Sequence, residues 1–284
     1  MTQPVAYLSM PSYGAVAAGA ARGFYRSTRG GLEVHLNYDQ GSLLACNFNV
    51  HWCWALQSAW QGKRVDYFAM LHADVSVEDF WLDRLVEELE RNSLDVLSVV
   101  IPIKDMHGLT STALAKEGSD PFALEGRLTM REVRRLPDTF TAADLGRPDD
   151  VLLVNTGCWV CRFDPAWASR FCFTINDRIS FDLEKGYKVD VEPEDWNASR
   201  QWHALGLHVG ATCLISARHR GEVDFANTHV WGDWTVDREY RTESLVPPRV
   251  IPDAPEGWRF PDDVNGWLSE AEGAALAQLA AGKQ

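Results

Sequence analysis

Through residue 103 the sequence alternates short, unbroken apolar runs with longer segments whose apolar residues recur at helical spacing. That alternation constrains the fold more than any other feature. Val5–Ser9 reads as a strand ending in the turn-forming Pro11-Ser12-Tyr13-Gly14, and Ala-rich 15–25 as a helix broken by Arg29-Gly30-Gly31. Residues 32–38 give a second strand, 43–60 a second helix and 65–71 a third strand. The next helix, 77–91, places Phe80, Trp81, Leu85, Val86 and Leu89 on one face, with acids early and Arg91 late, as the helix dipole prefers. Residues 94–103 form a fourth buried strand. Strands alternating with helices predict an α/β fold, a mainly parallel sheet flanked by helices.

Beyond residue 103 the pattern loosens. Residues 104–150 read as an excursion with a small β element around 127–135, 151–163 as a strand, 194–205 as a helix and 207–216 as a strand. From Thr228 onward Pro, Trp and Asp dominate until an Ala-rich helix near 266–281. The expected organisation is a main domain over 1–227, with halves 1–103 and 104–227, and a C-terminal appendage over 228–284.

Composition bounds the function. With 46% hydrophobic residues in 284 the chain supports a folded core, and a net charge of −13 disfavours attraction to nucleic acid or anionic lipid over the whole surface. The start lacks a leader-like apolar segment, and no run approaches the ~20 apolar residues of a membrane span, so a cytoplasmic protein without a membrane partner is expected. Six irregularly spaced cysteines read as reduced thiols. Cys158 and Cys161 form a lone C-x-x-C whose i, i+3 spacing in a strand points to opposite faces, which argues against zinc.

Three features carry chemistry. Asp74 follows an apolar strand and His72, where ligands bind in open α/β sheets, so it is either a ligand for a divalent cation or, with Ser76, a cap of the following helix. His219, in His219-Arg220-Gly221 after the last strand, is either a plain loop histidine or the nitrogen of a mixed site suited to Mn²⁺ or Mg²⁺. Glu194 and Asp195 open a helix beside Trp196. They are either an acidic first turn or a general base whose proton affinity is raised by apolar surroundings.

In chain order, Ser9-Met10-Pro11-Ser12-Tyr13, then His72-Ala73-Asp74, Asn155-Thr156-Gly157, Glu194-Asp195 and His219-Arg220-Gly221 resemble the GT-A fold glycosyltransferases over residues 5–225, bacteriophage members included. The resemblance implies a GT-A-like fold and a metal-dependent glycosyltransferase acting on a nucleotide-sugar donor, UDP-linked. It implies that Asp74, matching the last acid of a D-x-D motif, and His219 hold Mn²⁺ or Mg²⁺. His72 replaces the first acid of that motif. Asp195, with Glu194, would act as the base in an inverting reaction. Ser9, Pro11 and Tyr13 would line the nucleotide pocket, Asp39 would meet base or ribose, and Asn47 and Asn49 match an Arg-Asn position of the phage members.

The acceptor is open. Arg127, Arg131, Arg134 and Arg135 concentrate positive charge within the excursion, either as a solvated face or as a strip for a nucleic-acid acceptor such as hydroxymethylated DNA. Two competing readings are a nucleotidyltransferase on the same fold and a non-catalytic, Trp-rich carbohydrate-binding protein. A zinc hydrolase using His72, Asp74, His203, His208 and His219 lacks a close His pair, and the glycines after the first strand do not form G-x-G-x-x-G.

Overall fold

The structure, a computed structural model, describes residues 3–234 and 236–246. The first half contributes β1 (Val5–Ser12), α1 (Ala18–Tyr25), β2 (Glu33–Gln40), α2 (Leu44–Trp60), β3 (Tyr67–Leu71), β4 (Val75–Val77), α3 (Trp81–Arg91) and β5 (Val96–Val99). Next come β6 (Leu109–Ala115), β7 (Gly126–Thr129), α4 (Met130–Val133), β8 (Thr139–Phe140), β9 (Val151–Leu153), β10 (Cys158–Arg162) and α5 (Pro165–Ala168). The last are β11 (Asn176–Asp182), β12 (Gly186–Glu192), α6 (Glu194–Ala204), β13 (Val209–Thr212), β14 (Ala217–Arg220) and β15 (Asp224–Ala226).

A seven-stranded sheet in the order β2-β1-β3-β10-β5-β13-β8 forms the centre. β1 runs parallel to β2 and β3, and β13 runs parallel to β5. β10 is antiparallel to both β3 and β5, and β8 is antiparallel to β13. The fold is therefore α/β with a mostly parallel sheet. Among the described residues no helix is long and apolar enough to cross a membrane.

Both faces of the sheet are covered, and alternate side chains divide between two cores. One core is aromatic: Trp52, Phe68, Trp159, Phe171, Phe173 and Trp202 pack together, with Trp159 and Trp202 ring centroids 4.9 Å apart. The other is aliphatic around Leu8, Leu71, Trp81, Leu85 and Leu97. Cys161 belongs to the first core and Cys158 to the second, as the spacing predicts, and burial raises both thiols far from reactivity.

Several boundaries differ from the sequence expectations for identifiable reasons. β1 continues through Pro11 instead of turning there; β3 stops pairing at Ser9, so Pro11 lies where only β2 adjoins the strand. Residues 75–77 form β4 and not the start of a helix. Phe80 takes a left-handed conformation (φ 63°), and α3 begins only at Trp81. Gly19 and Gly23 let α1 lie against β4, because an added Cβ would fall 2.3 Å from Ser76 Oγ or 2.4 Å from Val77 Cγ2. The single strand expected over 151–163 divides into β9 and β10, which belong to different sheets. The β element expected at 127–135 is β7 followed by the one-turn α4, and β7 pairs with β6 in a sheet that includes β9. A β11–β12 hairpin stands where no element was expected.

Residues 228–246, assigned from sequence to the appendage, fall in the same compact unit as the body, which ends at Val246. A buried ion pair helps hold them. The Arg241 guanidinium donates to both Glu132 carboxylate oxygens (2.9 and 2.7 Å), and Ser244 Oγ and the Leu245 amide also donate to that carboxylate. The rest of the appendage, 247–284, with its expected helix at 266–281, lies outside the described residues.

Candidate functional site

The carboxyl ends of the parallel strands and the amino end of antiparallel β10 meet at one edge of the sheet, in the position where open α/β sheets bind ligands. Backbone contacts fix this edge. The His72 amide donates to the Gly157 carbonyl (2.8 Å), Ala17 N–H to Ala73 O (2.8 Å), and Val100 N–H to Thr212 O (2.9 Å). Asn155 knits the segment before β10 to β5: its Nδ2 donates to Val99 O (2.7 Å), and its Oδ1 accepts from the Gly157 amide (2.9 Å).

Asp74 and His219 come together through the pairing of β4 with β14. His219 lies opposite Val75, and the Arg220 amide donates to the Asp74 carbonyl at 2.8 Å. His219 Nε2 lies 3.4 Å from Asp74 Oδ2, and Lys104 Nζ donates to the same oxygen at 2.5 Å. Neither Asp74 nor Ser76 caps α3, whose cap position is Phe80, so the capping reading is excluded. Burial opposes ionisation of Asp74, but hydrogen bonds from His219 and Lys104 outweigh it and hold the carboxyl well below the usual range. His219 Nδ1 lies 2.8 Å from the Pro102 carbonyl, which only accepts, so Nδ1 carries the proton. Donation from Nε2 to Asp74 therefore needs the imidazolium, and in the neutral ring Nε2 and Asp74 Oδ2 present lone pairs to each other. A bridging proton or cation relieves that arrangement.

His72 completes the corner. Its ring packs on Phe48 with centroids 4.9 Å apart, its Nε2 is buried without a hydrogen-bond partner, and burial pushes its pKa down to about 4. Among the described residues no group of three or more His, Cys, Asp or Glu side chains forms a metal cage. The donors present, one carboxylate and one imidazole, suit a hard cation that keeps most of its positions for phosphate and water better than a permanently caged metal.

The acidic pair opens α6. Glu194 is buried, and burial raises its pKa. Asp195 is pushed up to about 8 by burial and by the adjacent Glu194. Its Oδ1 accepts from the Trp196 amide at 2.8 Å. Trp196 is held by its indole N–H on Ser111 O (2.8 Å) and by the Arg127 guanidinium 4.5 Å above its ring. Glu194 and Asp195 are thus an acidic first turn by position, in surroundings that push both carboxyls toward the protonated form.

Residues 154–157 join the two centres. Gly157 accepts from His72 at one end. At the other, the Val154 amide donates to Ser199 Oγ (3.0 Å), and that hydroxyl reaches the Asp195 carbonyl at 2.8 Å. Thr156 Oγ1 lies between, buried and without a partner.

The residues expected to line a nucleotide pocket have mixed placements. Ser9 is wholly buried with an unpartnered Oγ, Pro11 is buried within β1, and Tyr13 is 76% exposed just beyond the strand. Asp39 pairs in register with Pro11 near the end of β2. Asn47 donates to the Ser12 carbonyl (3.3 Å) and leaves a buried Oδ1 unpartnered. Asn49 has a packing role instead, since its amide clamps the Phe173 backbone with two 2.8 Å hydrogen bonds. Nearby His51, also buried, has both ring nitrogens unpartnered and a pKa lowered to about 4 by burial.

Sequence reading missed Lys104, whose only signal is a lone cation directly after an apolar run. It also missed the role of Arg127. The basic run is not one strip: Arg127 stacks on Trp196, Arg134 donates to Asn227 O (2.6 Å), and Arg131 and Arg135 are exposed.

No known protein family and no curated protein matches the chain. Among solved structures it is similar to A197 from STIV, at 12% identity and a TM-score of 0.45, over 82% of this chain and 96% of that one.

Proposed function

We propose that the chain is a metal-dependent glycosyltransferase of GT-A-like fold that takes a nucleotide-sugar donor, UDP-linked. One observation carries this reading: Asp74 and His219, 145 positions apart by their numbers, converge to 3.4 Å at the ligand-binding edge, and residues 154–157 run from that corner, through Ser199, to the backbone carbonyl of Asp195, whose carboxyl is pushed up to about 8. Asp74 and His219 would hold Mn²⁺ or Mg²⁺, which would supply positive charge to offset the negative charge of a departing nucleoside diphosphate. Lys104 sits beside the same oxygen and adds a second positive charge toward the diphosphate. Asp195 accepts the acceptor hydroxyl proton. Its burial beside Glu194 makes the carboxylate a stronger base than an exposed one, and its pKa near working pH suits it to that step. Ser9, Asp39 and Asn47 would position the nucleotide.

Calorimetric titration with UDP, UDP-glucose and GDP-mannose, each with Mn²⁺ and with EDTA, tests the donor. Metal-dependent binding of one nucleotide is expected. Binding indifferent to metal would remove Asp74 and His219 as ligands, and pyrophosphate release in place of a nucleoside diphosphate would make the chain a nucleotidyltransferase. Transfer of labelled sugar to hydroxymethylated DNA, compared with small hydroxyl acceptors, tests the acceptor.

A further inference from the structure

The β11–β12 hairpin is amphipathic in the opposite sense to an ordinary surface ribbon. Its register pairs Ile179 with Val189 and Phe181 with Tyr187 on one face, and Arg178 with Asp190 and Ser180 with Lys188 on the other. The polar face is the one tied to the body: Arg178 pairs with Asp120 (2.7 Å) and lies 4.3 Å over the Phe122 ring. The apolar face looks into solvent. Phe181 is 60%, Tyr187 81% and Leu183, in the turn, 93% exposed, and Ile179, Val189 and Val191 are all more than half exposed. Asp177 alone puts a charge on that face, at its open end. The two strands pair with each other and with no other strand among the described residues, and an isolated two-stranded hairpin is marginal in water.

We propose that this face is the contact between two copies of the chain, packed hairpin against hairpin about a two-fold axis. Side chains of this size and exposure present on the order of 700 Å² of apolar surface, close to the roughly 800 Å² per partner that a stable dimer buries. Two such faces stacked about 10 Å apart form a minimal sandwich, in which each Phe181–Tyr187 pair meets apolar surface of the other copy. The arrangement buries few charges, because Arg178, Lys188 and Asp190 belong to the opposite face. A lipid surface fits less well. Asp177, Asp182, Glu184, Asp190 and Glu192 outnumber Arg178, Lys185 and Lys188, so an anionic bilayer would repel the ribbon.

Sedimentation velocity of the full chain over a concentration series tests this directly. The wild type is expected to dimerise at micromolar concentration, and Phe181→Glu to weaken association about 100-fold, as loss of a central aromatic anchor does, with an unchanged circular dichroism spectrum and with the same thermal midpoint as the wild type at concentrations where both are monomeric. As an independent check, Val189→Cys in a background with Cys46, Cys53 and Cys172 changed to Ser should give a disulfide-linked dimer under dioxygen. Lys188→Cys, on the opposite face, should not. A wild type that stays monomeric at about 100 µM overturns the proposal, as does a dimer indifferent to Phe181→Glu or cross-linked equally from both faces. Flotation of a monomer with neutral phosphatidylcholine vesicles would also overturn it, in favour of lipid.

Discussion

Replacing Asp195 with Asn should make the protein more stable at alkaline pH and, on the proposed transferase reading, slow transfer. In the folded state Asp195 has a pKa near 8, against 3.8 for the ordinary carboxyl, so between about pH 4 and pH 8 the native protein holds a proton that the unfolded chain does not. Stability from this group therefore falls as pH rises through that window, and the whole penalty is present above pH 8. The shift of about four units corresponds to roughly 5–6 kcal/mol at 1.36 kcal/mol per unit. Asp195 is not fully enclosed, so solvent screening reduces the expected effect to about 3 kcal/mol. Asn keeps the oxygen that accepts from the Trp196 amide and carries no charge. Urea unfolding of both proteins from pH 4.5 to 9 should give a stability difference that grows from near zero to about 3 kcal/mol, because other titrating groups cancel in the difference. A difference independent of pH would refute the claim that Asp195 holds its proton by burial. On the catalytic side, Asp195→Asn should lower kcat at least ~100-fold with donor affinity intact.

Asp74→Ala should remove Mn²⁺-stimulated UDP binding in calorimetry; unchanged stimulation would exclude Asp74 as a ligand. Lys104→Ala takes away a cation competing for the Asp74 carboxylate, so Mn²⁺ alone should bind about tenfold more tightly, an effect near 1.4 kcal/mol. Arg241→Ala leaves Glu132 buried without its ion partner and should destabilise the fold by about 3–5 kcal/mol in denaturant titration, whereas pairing it with Glu132→Leu should recover part of that loss. Trp52→Ala opens the aromatic core and removes the indole bond to Ala168 O, with an expected loss of about 3–5 kcal/mol.

Strands β1, β3 and β5 were legible because they are buried along almost their whole length and therefore read as continuous apolar runs, as in residues 67–71. The errors have local causes. Phe80 shifts the start of α3 through a left-handed residue that no propensity scale favours in an aromatic, and 151–163 hides a change of sheet because both halves are equally apolar. The hairpin at 176–192 did carry a period-two pattern, Ile179-Ser180-Phe181 and Tyr187-Lys188-Val189-Asp190-Val191, with Gly186 at φ 76° closing the turn. At the site, Asp74 and His219 were identifiable as types. Their convergence depends on the β4–β14 register, which a single sequence does not display. Lys104 and Arg127 act through partners remote in sequence and gave no motif.

The position of β10 bears on how the chain acquires its structure during synthesis. β3 and β5 are not neighbours, and the strand that joins them is made about ninety residues after β3. A ribosome that has released only the first half of the chain therefore exposes the β2-β1-β3 part of the sheet with an open edge at β3, and a β5 that has neither of its neighbours. They can close only when residues 158–162 enter from the opposite direction. Folding is expected to wait on that central strand, and nascent chains stalled before it should be the ones that chaperones hold and proteases find.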